Sequence, residues 1–227
     1  MFPKGIWHLW LRHNTCVFRM GVADSKPVEK CRLSAAEFFA VGMRTKLNIS
    51  KTLIAVAWRK PPLGWTKLNI DGSALGCPGK ASGGGLIRDH NRDWVTGFAR
   101  SLGYTNSFLA ELWALRDGLT LAKELNLNSL IVKLDAKSVV QFMNNNSINM
   151  LMEPLLIDYR TLPQAIPNKR IEHTYRKADQ CADALARIGA RHNFTFVVFV
   201  EPPHLVESLL ACDKANTFCY RLVAYNI

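Results

Sequence analysis

The sequence is short of acids. It holds 18 Asp and Glu against 29 Lys and Arg, a formal net charge of +11 over 227 residues. It lacks long apolar runs: none reaches the roughly 18–20 residues that a spanning helix needs. The stretch from Met1 to Met20 is broken by Lys4, His8, Arg12, His13 and Arg19 and does not read as a secretion signal. The cysteines, Cys16, Cys31, Cys77, Cys181, Cys212 and Cys219, form no C-x-x-C pair, and no close pair has a histidine at zinc spacing. They read as reduced thiols of an intracellular protein that is not secreted. Internal repeats and low-complexity tracts are absent. No Gly-Lys-Ser/Thr follows the glycines, which excludes a nucleotide-triphosphate loop.

What is present suits a folded domain. Apolar residues make up 48% of the chain, enough to bury a core. The basic surplus would attract polyanions, but half of it lies outside the central region. Residues 1–57 hold 9 Lys/Arg and 3 acids, residues 58–192 hold 18 and 12, and residues 193–227 hold 2 and 3. Trp58-Arg59-Lys60-Pro61-Pro62-Leu63-Gly64 reads as a linker. The domains expected are a helical extension over 1–57, a central domain over 58–192 and a C-terminal tail over 193–227.

Within the middle region, strand and helix patterns alternate. Residues 65–71 have period two, with Leu68 and Ile70 on one face and Lys67, Asn69 and Asp71 on the other. A glycine-rich turn is expected from Gly72 to Gly85, then a hairpin of 85–89 and 94–99. Phe108, Leu112, Leu115, Leu119 and Ala122 predict a helix over 107–125. A strand over 129–134, helices over 136–144 and 153–162, a strand over 170–175 and a helix over 178–191 follow. Together they predict an α/β fold whose mixed sheet has five strands, three antiparallel plus two parallel, with helices on both faces.

Four of the scarce acids stand where such a sheet opens a crevice. Asp71 lies on the first strand, Asp135 just after the fourth, Glu111 near the start of the long helix and Asp183 early in the last. Singly, each has an ordinary use as a turn residue, a helix cap or a first-turn acid. Brought together they would repel, and a divalent cation with oxygen ligands would relieve the repulsion.

Five separated motifs carry a resemblance. They are Asn69-Ile70-Asp71-Gly72-Ser73, Ala110-Glu111-Leu112-Trp113-Ala114-Leu115, Lys133-Leu134-Asp135-Ala136-Lys137-Ser138, His173-Thr174-Tyr175-Arg176 and Ala182-Asp183-Ala184-Leu185-Ala186. In this order they resemble the ribonuclease H-like domain of plant non-LTR retrotransposon reverse transcriptases, over about residues 58–192. The flanks, with Ile6 to Phe18 and Ala35 to Phe39, resemble the segment ahead of that domain.

The resemblance implies the ribonuclease H fold and a metal-dependent endoribonuclease. That enzyme would hydrolyse the RNA strand of RNA–DNA hybrids with two Mg²⁺ ions, Mn²⁺ being a possible substitute. It implies Asp71, Glu111, Asp135 and Asp183 as catalytic metal ligands and His173 as a proton shuttle. It implies Gly72, Ser73, Lys80 and Arg176 as nucleic-acid contacts, in a monomer with no membrane partner. Lys67, Arg88 and Lys133 are further phosphate candidates. The chain departs from the family pattern at Cys77, Ser82, Lys177 and Asp179, so its polar grip on substrate is thinner than its acid set. A weakly active nucleic-acid-binding module, or an interaction domain using the N-terminal helices and Phe194 to Val200, are the competing expectations.

Overall fold

The computed structural model describes residues 51–76, 78–144, 166–192 and 195–224. The expected N-terminal helices, the helix over 153–162, and Cys16, Cys31 and Cys77 lie outside them. Leu53–Arg221 forms one compact unit. No helix among the described residues is long and apolar enough to cross a membrane.

The described strands are β1 (Lys51–Val56), β2 (Thr66–Gly76), β3 (Gly79–Arg88), β4 (Trp94–Thr105), β5 (Ser129–Leu134), β6 (Asn168–His173), β7 (Phe196–Phe199) and β8 (Cys219–Ala224). The described helices are α1 (Ser107–Glu124), α2 (Lys137–Asn144), α3 (Gln180–Arg191) and α4 (His204–Lys214). β1 and β8 pair with each other, and the main sheet has the order β6-β5-β2-β3-β4-β7. β2, β5 and β6 run parallel, and β2, β3, β4 and β7 are antiparallel to their neighbours.

Alternation along β2 sorts the core into two layers. Leu68 and Ile70, with Ile87 opposite Leu68, join Leu112, Leu115 and Leu119 of α1. On the other face Leu86 and Ala99 join Ala182, Leu185 and Ile188 of α3 and Val206 and Leu210 of α4. Asn106 caps α1, its side chain accepting from the Leu109 N–H at 2.9 Å.

Two expectations need correction. The stretch from Gly72 to Gly85 is not a turn. β2 runs on to Gly76 and β3 starts at Gly79, with Gly72 opposite Gly83 and Asp71 opposite Gly84. Its glycines serve close approach instead. A Cβ on Gly72 would collide with the backbone of Ala110 and Glu111 in α1, and one on Gly84 with the backbone of Leu185 and Ala186 in α3. Both helices can therefore lie directly on the strands.

The sheet also has six strands, not five. The sixth is β7, whose Phe-Val-Val-Phe is too short and too uniformly apolar to show a period. It pairs with β4 from Gly97↔Phe199 to Arg100↔Phe196, so Phe196 to Phe199 is an edge strand of the sheet. Arg88 then reaches Asp213 of α4 at 2.7 Å, and Lys214 reaches Asp93 at 2.7 Å.

Candidate metal centre

Three elements deliver carboxylates to one point. β2 carries Asp71 in its middle, α1 carries Glu111, and β5 ends one residue before Asp135. One ligand oxygen from each lies within 4.8 Å of the others. The Gly72–α1 contact is what permits this, because it lays the Glu111 backbone against the strand beside Asp71.

Asp71 and Glu111 are each only 4% exposed. Asp71 Oδ2 and Glu111 Oε2 are buried and accept no hydrogen bond. Burial pushes the Glu111 carboxyl up to about 10, helped by the Asp71 charge and the Asp135 side chain and opposed by the Gly72 backbone N–H. Burial likewise pushes Asp71 up to about 7, helped by Asp135 and opposed by Arg176. Orphaned carboxylate oxygens in one crowded cluster are the donor set that a hard divalent cation requires. The residues present thus fit such an ion.

Asp183 is not one of those three. It lies in the first turn of α3. Its Oδ1 accepts from Arg176 Nη2 at 2.6 Å and its Oδ2 pairs with Arg187 Nη2 at 2.6 Å. Arg176 Nη2 is also 3.9 Å from Asp71 Oδ2, which links Asp183 to the trio through a guanidinium.

His173 ends β6, opposite Leu134 and so beside Asp135. It is half-buried and edge-on to Tyr175, with ring centroids 5.4 Å apart. Burial first, then the Lys137 charge, lowers its pKa, opposed by Asp135.

Asp71, Glu111 and Asp135 line a cleft of about 280 Å³ together with Gly72, Ser73 and Arg176. Ser73 Oγ lies 3.3 Å from Ser82 Oγ. Lys80 is exposed on β3 and is not in that lining.

Three phosphate candidates are otherwise engaged. Arg88 is 1% exposed, stacks on Trp58 at 3.7 Å and pairs with Asp213. Lys67 is buried and donates to the Arg59 carbonyl. Burial and the neighbouring Lys133 and Arg88 bring its pKa down to about 8. Lys133 is paired with Glu172 at 2.7 Å.

Sequence reasoning noted Asp179 only as a departure from pattern. The structure buries it at the start of α3, with neither oxygen accepting a hydrogen bond of normal geometry. Arg187 carried no signal at all, apart from standing four residues after Asp183.

Comparison with known proteins gives a consistent picture. A family model described as reverse transcriptase-like matches residues 69–189. A protein of Arabidopsis thaliana named "Putative ribonuclease H protein At1g65750" is 32% identical over 165 residues, 71% of this chain and 26% of its own length. The chain thus spans about a quarter of that relative. Among solved structures, RNase H1 of Halobacterium salinarum superposes with a TM-score of 0.52 at 21% identity, over 56% of this chain and 98% of its own. The N-terminal RNase H domain of rv2228c from Mycobacterium tuberculosis gives 0.53 at 22%, over 56% and 94%. LC11-RNase H1, solved in complex with an RNA/DNA hybrid, gives 0.52 at 20%, over 56% and 96%. These likenesses establish the ribonuclease H fold.

Proposed function

The chain belongs to the reverse transcriptase-like family, and from that premise we propose that it is a divalent-metal-dependent endoribonuclease. Its substrate is the RNA strand of RNA–DNA hybrids, and it acts as a monomer. The observation that carries this reading is the convergence of Asp71, Glu111 and Asp135 with ligand oxygens within 4.8 Å of one another, two of the three side chains being buried. Burying carboxylates together is costly in their charged form, and a bound cation would offset that cost. The names of the relatives, a ribonuclease H protein and a hybrid-bound RNase H1, point to the same chemistry.

In this proposal Asp71, Glu111, Asp135 and Asp183 hold two Mg²⁺ ions, with Mn²⁺ able to replace them. Bound there, the ions would supply positive charge to the attacking and leaving oxygens of a phosphodiester. The remaining roles fall to the protein's own groups. His173, beside Asp135, can take up a proton as the product leaves. The Gly72 and Ser73 segment lines the cleft, where amides and a hydroxyl can meet a sugar or phosphate. The 2′-hydroxyl distinguishes the RNA strand. Arg176 in the lining, and Lys80 further out on β3, supply charge for the backbone. The activity is assigned to residues 58–192, which contain every proposed ligand.

A second reading, a nucleic-acid-binding module with little catalysis, is favoured by one observation: both oxygens of Asp183 are held by arginines. The two readings separate in one assay. The nuclease cuts the RNA strand of a labelled hybrid in Mg²⁺ and leaves a DNA duplex intact. The binding module binds the hybrid in a salt-dependent way and cuts nothing in Mg²⁺ or Mn²⁺.

A further inference from the structure

The two arginines on Asp183 are not equivalent. Arg187 lies one turn along the same helix, 66% exposed, and pairs with Oδ2 at the surface. Arg176 approaches from the segment that enters the helix and takes Oδ1. The same Nη2 stands 3.9 Å from Oδ2 of Asp71, the buried oxygen that accepts no hydrogen bond. Arg176 is therefore a permanent cation placed between Asp183 and the carboxylate trio. Four acids meet in this region, and the guanidinium already neutralises the Asp183 side of it.

We infer that Arg176 is an internal counter-ion that occupies the Asp183 side of the site in place of a second divalent cation. The free protein then takes one divalent ion at Asp71, Glu111 and Asp135, and a second only when Arg176 moves away. This rests on the metal reading proposed above and adds an order of filling to it. The movement is feasible. Arg176 is 55% exposed while Asp183 is 14% exposed, so the guanidinium can turn out to solvent on its own side-chain torsions while the carboxylate stays in place. Had Arg176 been only a phosphate ligand, its loss would leave metal binding alone.

The test is a titration of the full-length, metal-free chain with Mn²⁺ alone. Calorimetry reads affinity and stoichiometry, and electron paramagnetic resonance reads whether two bound ions are close. Wild type is expected to show one tight step and a much weaker second one. Arg176→Ala is expected to tighten the second step by roughly tenfold, because the unit positive charge paired with Asp183 is removed. Arg176→Lys, which keeps the charge but loses the fork, should fall between the two and guards against a folding artefact. Arg187→Ala should stay close to wild type.

Equal second-step affinities in wild type and Arg176→Ala overturn the inference, and so does an equal gain from Arg187→Ala. Asp71→Asn separates this inference from the reading beneath it. If Asp71→Asn binds Mn²⁺ as wild type does, the metal reading itself fails. If Asp71→Asn loses binding while Arg176→Ala changes nothing, only the counter-ion role falls. Absence of Mn²⁺ binding in both wild type and Arg176→Ala overturns both.

Discussion

Gly72 and Glu111 touch backbone to backbone: a methyl group on the glycine would occupy the space of the Glu111 amide. That contact sets the distance between strand β2 and helix α1, and with it the separation of Asp71 and Glu111. Gly72→Ala should push the helix outward. The expected loss is about 1–3 kcal/mol of stability, the range for overpacking a tight core, together with weaker Mn²⁺ binding. Thermal unfolding and a metal titration check both parts. A variant with wild-type stability and affinity would mean that the glycine is not what positions Glu111.

Some of this arrangement was legible in the sequence and some was not. The alternation of Leu68 and Ile70 gave the first strand and its buried face, and Ser129 to Leu134 was read with its observed bounds. The heptad-like spacing of Leu112, Leu115 and Leu119 gave α1. Three of the four acids meet as their positions implied. Glycine content alone does not show where β2 ends and β3 begins, because a composition typical of turns also serves two strands crossed closely by helices. β7 was missed because four consecutive apolar residues carry no period. The pairing of Asp183 with Arg176 and Arg187, and that of Arg88 with Asp213, depend on side-chain directions that no linear pattern encodes.

Metal-free protein should lose stability as the pH rises. The Asp71 carboxyl is raised from 3.8 to about 7 by folding. The folded state therefore holds its proton where the unfolded chain has released it. Stability from this group is complete below about pH 4 and is lost as the pH climbs toward 7. Glu111, raised to about 10, extends the loss to higher pH. Melting curves at pH 5, 6.5 and 8 should show the decline in wild type and a flatter profile in Asp71→Asn. At pH 8 Asp71→Asn should melt above metal-free wild type, and Mg²⁺ should raise wild type only. A wild-type profile parallel to that of Asp71→Asn would show that Asp71 is not the group responsible.

Asp179 offers a stabilising substitution. It is 3% exposed, and its oxygens accept no hydrogen bond of normal geometry, although the Arg88 charge and the Asn69 amide act on it. Burial, with the Asp71 charge, raises its carboxyl well above the ordinary range. Asp179→Asn keeps the shape and removes the ionisation. It should add about 1–3 kcal/mol near pH 7.5, because the folded acid holds a proton that the unfolded chain releases, at about 1.4 kcal/mol for each pKa unit between the two states. The gain should shrink as the pH falls toward 4 and below, where the unfolded chain takes up the same proton. Denaturant melts at the two pH values test this. A loss at pH 7.5 would show that the carboxylate has a partner it needs.

Helix α4 and strand β7 should be indispensable to the domain. Asp213 is the ion-pair partner of Arg88, a side chain 1% exposed in the sheet face. Asp213→Ala leaves that charge buried and should cost about 3–5 kcal/mol. A chain ending at His192 loses this pair and also uncovers Leu86, Ala99 and Ile188. It should be poorly soluble or melt well below the full chain. Equal melting temperatures would mean that residues beyond His192 are dispensable to the fold.

The central claim is that the acid cluster cuts RNA in a hybrid with the help of divalent ions. The most direct measurement uses a hybrid labelled on the RNA strand, incubated with the full chain, with and without Mg²⁺. Asp71→Asn and Glu111→Gln are run beside wild type after their folding is verified by circular dichroism. The account expects cleavage of the RNA strand by wild type in Mg²⁺ only. It expects a loss of at least 100-fold in either variant, about 2.7 kcal/mol of transition-state stabilisation. Cleavage that survives in folded Asp71→Asn, or no cleavage by wild type in Mg²⁺ or Mn²⁺, would contradict it.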